Sequence, residues 1–266
     1  MNILMAFNDG FLLPGIVSIY SLFKHNDGIL LKVMYIDLSI NSKSIIKKLE
    51  KVGIGNRIEF VKIGSDFLER ITIDTGRWRS ETFFRYFAHE LFPDLDRCVW
   101  LDSDIMVRGS IEELCNIDFE GNSFGAVADN SSNPVERLGI DDYVNAGILA
   151  MNLKKIREER SMERFWEIVD SDDYVGTLPD QDALNIAYKD DIKLVSFFYN
   201  TFVMFVCDKM DYYISNAKIV HFPSANKPWK TECSEYFVSL FDDYPSVAKF
   251  VPEYWDLMEE AVEAVQ

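Results

Sequence analysis

No uncharged run in this chain is long. Gly10–Phe23 and Leu194–Cys207, at 14 residues each, are the longest, short of the roughly 18 residues that mark a membrane-spanning helix. An integral membrane segment is therefore not expected. Cysteine is scarce: Cys98, Cys115, Cys207 and Cys233 show no Cys-x-x-Cys spacing, which argues against a zinc ribbon or a disulfide scaffold. Cys98 lies in an apolar run and reads as a small core hydrophobe. Basic charge is also in short supply, with 27 Lys plus Arg against 44 Asp plus Glu and a formal net charge of -17. That field repels nucleic acid and anionic membrane surfaces, so any phosphate must be met locally by a metal ion, a buried cation or backbone N–H groups. Met1–Phe7 carries neither a basic n-region nor a small-residue cleavage site, which points away from a secretory signal and towards a cytoplasmic location.

What the chain does have is ordinary globular composition, 48% hydrophobic and 27% charged over 266 residues, enough to bury a substantial core. Strand-like runs rich in Ile, Val and Phe occur at Asn2–Phe7, Leu30–Leu38, Arg57–Ile63, Cys98–Leu101, Phe124–Ala128, Gly147–Met151, Lys193–Phe198 and Lys218–His221. Between the early ones, Leu13–Lys24, Ser42–Val52 and Ser80–Leu91 place apolar residues three and four apart, the period of an amphipathic helix. This alternation predicts βαβ units and a mainly parallel sheet covered on both faces. After Leu101 the pattern loosens into polar stretches such as Asp129–Asp142, with later helices at Arg157–Val169, Pro179–Tyr188 and Tyr254–Ala264. The last is acidic and amphipathic, suited to packing on the body. No linker divides the chain, so it reads as one α/β domain: a Rossmann-like nucleotide-binding half to residue 105, a less regular part from 106 to 230, and a C-terminal helical segment from 231 to 266.

The sharpest local feature is Cys98-Val99-Trp100-Leu101-Asp102-Ser103-Asp104-Ile105-Met106-Val107. An apolar strand runs into two carboxylates spaced i and i+2, which extended backbone places on one side, at a strand end where ligand crevices open in α/β sheets. Two such acids repel each other unless a cation sits between them, and Mn²⁺ or Mg²⁺ suits oxygen ligands while sharing its other positions with diphosphate oxygens. The same spacing also serves aspartyl-phosphate phosphatases, whose first carboxylate is a nucleophile, although those enzymes carry it near the N-terminus.

Three further motifs follow: Tyr143-Val144-Asn145-Ala146-Gly147-Ile148, Asp180-Gln181-Asp182-Ala183-Leu184-Asn185, and His221-Phe222-Pro223-Ser224-Ala225-Asn226-Lys227-Pro228-Trp229. Together with Asp102-Ser103-Asp104, and in this order, they resemble glycosyltransferase family 8, the retaining galactosyl- and glucosyltransferases that include relatives of glycogenin and lipopolysaccharide sugar transferases. The resemblance spans roughly Met1 to Lys230. It implies a GT-A-like fold and transfer of a hexose, glucose or galactose, from a UDP-sugar to a saccharide or glycolipid acceptor.

The resemblance also implies residue roles. Asp102, Asp104 and His221 would bind the metal, and neutral imidazole is a suitable third ligand. Lys227 would reach a diphosphate oxygen, and Ser224 stands where the family usually has a glycine against the phosphate. Ala6, Asn8 and Asp9, after the first strand, fall where relatives grip uracil and ribose, and Asp102 and Ser103 would also touch the donor. Arg85 would touch the donor sugar or diphosphate. Read by spacing alone, it is instead a solvated partner of Glu81 four residues earlier. Asp129, Asn145 and Ala146 match positions at the donor-sugar hydroxyls, and Asp180 with Gln181 would face the anomeric carbon as the catalytic pair. Relatives acting on lipid-linked acceptors often carry a basic tail, whereas this chain ends acidic, so a soluble enzyme is expected. Two alternatives stand beside this reading: a non-catalytic nucleotide-sugar-binding protein, and the Asp-x-Asp phosphatase.

Overall fold

A computed structural model describes residues 1–71, 80–129, 134–171, 174, 176–202, 210–223, 225, 227–230 and 250–266. Its strands are β1 (Asn2–Ala6), β2 (Leu30–Tyr35), β3 (Arg57–Lys62), β4 (Cys98–Leu101), β5 (Ile105–Val107), β6 (Phe124–Ala128), β7 (Val144–Met151), β8 (Ile192–Leu194), β9 (Thr201–Phe202) and β10 (Ile219–His221). Seven form a sheet in the order β3-β2-β1-β4-β7-β6-β8, and three form a smaller sheet in the order β5-β10-β9. In the large sheet β3, β2, β1 and β4 run parallel, β7 is antiparallel to both neighbours, and β8 is parallel to β6. The sheet is thus mixed and mainly parallel, as the sequence pattern predicts.

Period-two alternation sorts the side chains of this sheet into two cores. Ile3 and Met5 of β1, Val99 and Leu101 of β4, and Ile148 and Ala150 of β7 face a cluster containing Val17, Ile19, Leu22 and Phe23 of the helix Leu12–His25. Leu4, Trp100, Leu149 and Met151 face the opposite cluster, with Phe83, Phe84, Phe87 and Phe165. Each fully buried side chain of this kind contributes roughly 1.5–3 kcal/mol over leaving it in water. Both faces being covered is why the strands read as continuous apolar runs.

The acidic C-terminal helix, Phe250–Ala264, packs on the Leu12–His25 helix. Glu260 accepts from Tyr20 (3.1 Å) and Lys24 (2.5 Å), and Arg108 pairs with Glu253 (2.6 Å). No helix among the described residues is long and apolar enough to cross a membrane.

Several expected elements differ. Ser80–Leu91 is a 3-10 helix over Ser80–Phe87 that becomes α-helical only at Ala88–Leu91. Its apolar residues Phe83, Phe84, Tyr86, Phe87 and Ala88 are all buried, so packing sets the local winding. Arg157–Val169 is two helices, Leu153–Glu158 and Met162–Val169, divided where Arg160 takes a left-handed φ of 51°. Lys193–Phe198 is a strand only to Leu194 and turns over at Phe197–Tyr199, and β7 starts three residues before the expected Gly147.

Candidate active site

The acidic pair lies where the chain passes from one sheet to the other. β4 ends at Leu101, yet Asp102 N–H still donates to Gly147 O of β7 (2.8 Å). The chain then bends through Ser103 and Asp104 into β5. The buried Ser18 of the Leu12–His25 helix fixes that bend. Its Oγ lies 2.8 Å from Ser103 O and 2.9 Å from Ile105 O, and it accepts from Ile105 N–H at 3.3 Å.

β10 brings the histidine. His221 is opposite Ile105 in the antiparallel β5–β10 ladder, and Phe222 N–H donates to Asp104 O (3.0 Å). His221 Nε2 thereby lies 3.3 Å from Asp104 Oδ1 and 3.9 Å from Asp102 Oδ2. One ligand atom from each of Asp102, Asp104 and His221 lies within 4.8 Å of the others. Two carboxylate oxygens and one imidazole nitrogen converging this closely fit a hard or borderline divalent cation. Lys227 donates to Asp104 Oδ2 (2.6 Å) and to Phe222 O (2.5 Å). Burial pushes the Asp104 carboxyl up, but the Lys227 ammonium and the His221 ring beside it outweigh burial and hold it below the usual carboxylate range.

Arg85 is buried, only 2% exposed, and Glu81 instead accepts from Asn8 Nδ2 (2.7 Å). The surface-pair reading of Arg85 is therefore corrected: the tight 3-10 winding turns its side chain inward. There it meets Asp102 Oδ1 at 3.1 Å and Asp180 Oδ2 at 3.8 Å, and it donates to Ala146 O and Thr82 O. Its guanidinium lies over the Trp100 ring (4.8 Å), whose indole N–H donates to Asp102 Oδ1 at 2.7 Å. With Oδ1 taken by two donors, Asp102 presents Oδ2 to His221.

Asp180 opens the Pro179–Ala187 helix with its carboxylate 3.3 Å from the Tyr86 hydroxyl. Burial pushes its carboxyl up to about 6, the Arg85 guanidinium pulls against this, and the Asp102 charge adds to the rise. A folded-state value above the unfolded one gives stability that is present at low pH and is lost as pH rises through about 6. Asp180→Asn removes that titration. The unfolding free energy of the variant, relative to the parent, is expected to rise by about 2 kcal/mol between pH 4.5 and 7.5. Urea denaturation at both pH values checks this, and a difference that stays flat sinks it.

The third group surrounds Asp129. Its Oδ2 accepts from Asn145 Nδ2 (3.1 Å) and Gln181 Nε2 (3.3 Å), and Gln181 Oε1 accepts from Ala146 N–H (3.0 Å). Asp182 is fully buried, paired with Arg137 at 3.0 Å and accepting from the Tyr143 hydroxyl at 2.5 Å, so it anchors the helix that carries Asp180 and Gln181.

Continuing the parallel β1–β4 register, Ile3 with Val99 and Leu4 with Trp100, sets Ala6 beside Asp102. Asn8 follows, bound to Glu81 and accepting from Gly10 N–H. Asp9 beside it accepts from Ser39 N–H (3.1 Å), and hydrogen bonds from Ser42 and Ser39 hold its carboxyl low. Ser224 lies outside the described residues, as do Cys207, Cys233 and positions 231–249. Sequence reading missed Trp100, Tyr86, Tyr143, Asn200 and Ser18. Trp100 alone had a local signal, standing two residues before Asp102 on the same strand face.

The family model for glycosyl transferase family 8 matches residues 2–233. The chain belongs to this family. It is 29% identical to a lipopolysaccharide 1,2-glucosyltransferase of Escherichia coli K12, over 90% of this chain and 78% of that protein. It is 30% identical to glycosyltransferase GlyF of Streptococcus pneumoniae, over 86% of this chain and 57% of that one. In fold, this family 8 chain matches the galactosyltransferase LgtC, solved with donor and acceptor sugar analogs, with a TM-score of 0.72 at 22% identity over 94% of this chain and 96% of that one. The GT-A-like expectation for the fold holds.

Proposed function

We propose that this chain is a divalent-metal-dependent, retaining hexosyltransferase that takes glucose or galactose from a UDP-sugar and passes it to a saccharide or glycolipid acceptor. The convergence of Asp102, Asp104 and His221 at the junction of the two sheets carries this reading, beside membership of family 8 and the glucosyl- and galactosyltransferases it resembles. Residues 1–105 hold the nucleotide, with Ala6, Asn8 and Asp9 at the end of β1 towards uracil and ribose, and residues 106–230 hold the sugar and acceptor in one domain.

Mn²⁺ or Mg²⁺ bound by Asp102, Asp104 and His221 would supply positive charge against a departing diphosphate. Lys227, already beside Asp104, meets a diphosphate oxygen as a point charge. Arg85 balances Asp102 and Asp180 and donates to the sugar or diphosphate, while Asp129, Asn145 and Ala146 read sugar hydroxyls. These groups are fixed before substrate arrives, so their dipoles need little reorganisation. Asp180, with Gln181, faces the anomeric carbon, where its carboxylate stabilises an oxocarbenium-like centre as the bond to the diphosphate oxygen breaks, the acceptor hydroxyl attacks the face that oxygen vacates, and the hydroxyl proton passes to the departing diphosphate. Ser103 holds the bend between the acids through its backbone. A phosphatase nucleophile would need a free Asp102 oxygen aimed at a phosphomonoester; here one oxygen is held by Trp100 and Arg85 and the other faces His221.

Calorimetric titration of UDP-glucose and UDP-galactose with and without Mn²⁺ tests donor and metal together. Binding that requires Mn²⁺, with slow metal-dependent donor hydrolysis, is the expected result. Donor binding without any turnover would favour the non-catalytic alternative, and no donor binding in either condition defeats both.

A further inference from the structure

Asn145, Asn200 and His221 form a buried chain of polar contacts whose direction is set at one end. Gly147 N–H, a backbone group that can only donate, points at Asn145 Oδ1 (2.9 Å). Asn145 Nδ2 then faces Asp129 Oδ2, which accepts. Asn200 approaches the same Asn145 Oδ1 at 2.9 Å, where only its amide nitrogen can donate. Its Oδ1 is thereby left 2.9 Å from His221 Nδ1. An amide oxygen accepts and never donates, so that ring nitrogen carries a proton. In a neutral imidazole the lone pair then belongs to Nε2, the atom facing both carboxylates.

We propose that Asn200 is a positioning residue that holds His221 as the Nδ1–H tautomer and aims its Nε2 lone pair at the space between Asp102 and Asp104. The fold delivers Asn200 for this purpose. The Phe197–Tyr199 turn, capped by Ser196, ends with Asn200 N–H on Phe197 O (3.1 Å), and β9 then runs parallel to β10 with Thr201 beside Val220. Imidazole binds a cation only through its unprotonated nitrogen, so a group fixing the other nitrogen governs affinity. The importance of the lone pair rests on the metal reading above; the position of the proton does not.

Two-bond ¹H–¹⁵N correlation of the full chain labelled with ¹⁵N-histidine reports the tautomer directly, without metal and with diamagnetic Mg²⁺, at a pH where the ring is neutral. Loss of a signal in His221→Asn assigns it among the three histidines. The parent is expected to show Nδ1–H throughout. Asn200→Leu should give mixed tautomers and weaken Mn²⁺ binding by roughly 10–100-fold in calorimetry. Asn200→Asp gives up the amide donor to Asn145 Oδ1 but still offers His221 Nδ1 an acceptor, so it should keep Nδ1–H, and it guards against a leucine variant that fails to fold. A parent His221 with its proton on Nε2 overturns the proposal, as does Asn200→Leu binding Mn²⁺ as tightly as the parent. A parent with Nδ1–H that binds no Mn²⁺ upholds the tautomer and overturns the metal reading instead.

Discussion

Asp102→Asn is expected to lower metal-dependent donor turnover by on the order of 10³-fold while leaving the fold in place, the scale of several kcal/mol of charge stabilisation. The substitution keeps an oxygen where Trp100 and Arg85 donate, so the strand end and the buried guanidinium retain their partner. It replaces the oxygen facing His221 with an amide nitrogen, which cannot ligate a cation and removes one of two negative charges from the cluster. Steady-state kinetics across a Mn²⁺ series, with a thermal melt as control, separates the two effects. Activity within tenfold of the parent, at any metal concentration, would remove Asp102 from the role assigned to it.

Gly147→Ala should damage the fold and the site together. A Cβ there falls inside contact distance of His221 Cε1 and lies 2.9 Å from both His221 Nδ1 and Asn145 Oδ1. Neither neighbour is free to yield, because His221 is pinned by Asn200 and Asn145 by Asp129 and by the Gly147 N–H itself. Overpacking of this kind costs about 1–3 kcal/mol, and the displaced imidazole should forfeit Mn²⁺ affinity as well. Gly125→Ala is the matched comparison. On neighbouring β6 an added Cβ comes nearest to the Ile117 Cδ1 tip (3.0 Å), then Val195 (3.4 Å) and Ala150 (3.5 Å), all side-chain atoms away from the metal ligands, so it should melt near the parent and bind Mn²⁺ normally. Equal behaviour of the two variants would mean that the close approach of β7 and β10 does not shape the site.

The strands that hold the site were readable because both faces of the large sheet are buried. Cys98–Leu101 and Phe124–Ala128 have the expected bounds, since a continuous apolar run can end only where the chain meets polar surroundings. β5 and β9 were not readable. At three and two residues they are shorter than any periodicity can reveal, and their partner β10 lies over a hundred positions from β5. The Ser80–Leu91 segment shows the other limit: its apolar spacing of three and four favours an α-helix, yet Ser80–Phe87 is wound as a 3-10 helix, and packing of its aromatics made the choice. That choice turned Arg85 inward and separated it from Glu81.

Composition and order of motifs thus determined the α/β class, the mainly parallel sheet, the exposed end of β4 and the pair of acids on it. All follow from local patterning and from the side-chain alternation of extended backbone. Which groups face those acids was decided by tertiary structure. His221, Arg85 and Lys227 reach them from remote segments, Asn200 reaches His221 behind them, and the direction of the Gly147–Asn145–Asn200–His221 chain exists only once β7, β9 and β10 are side by side. A hydrogen bond's polarity belongs to the pair that makes it, and pairs between distant segments come into being only when the chain folds.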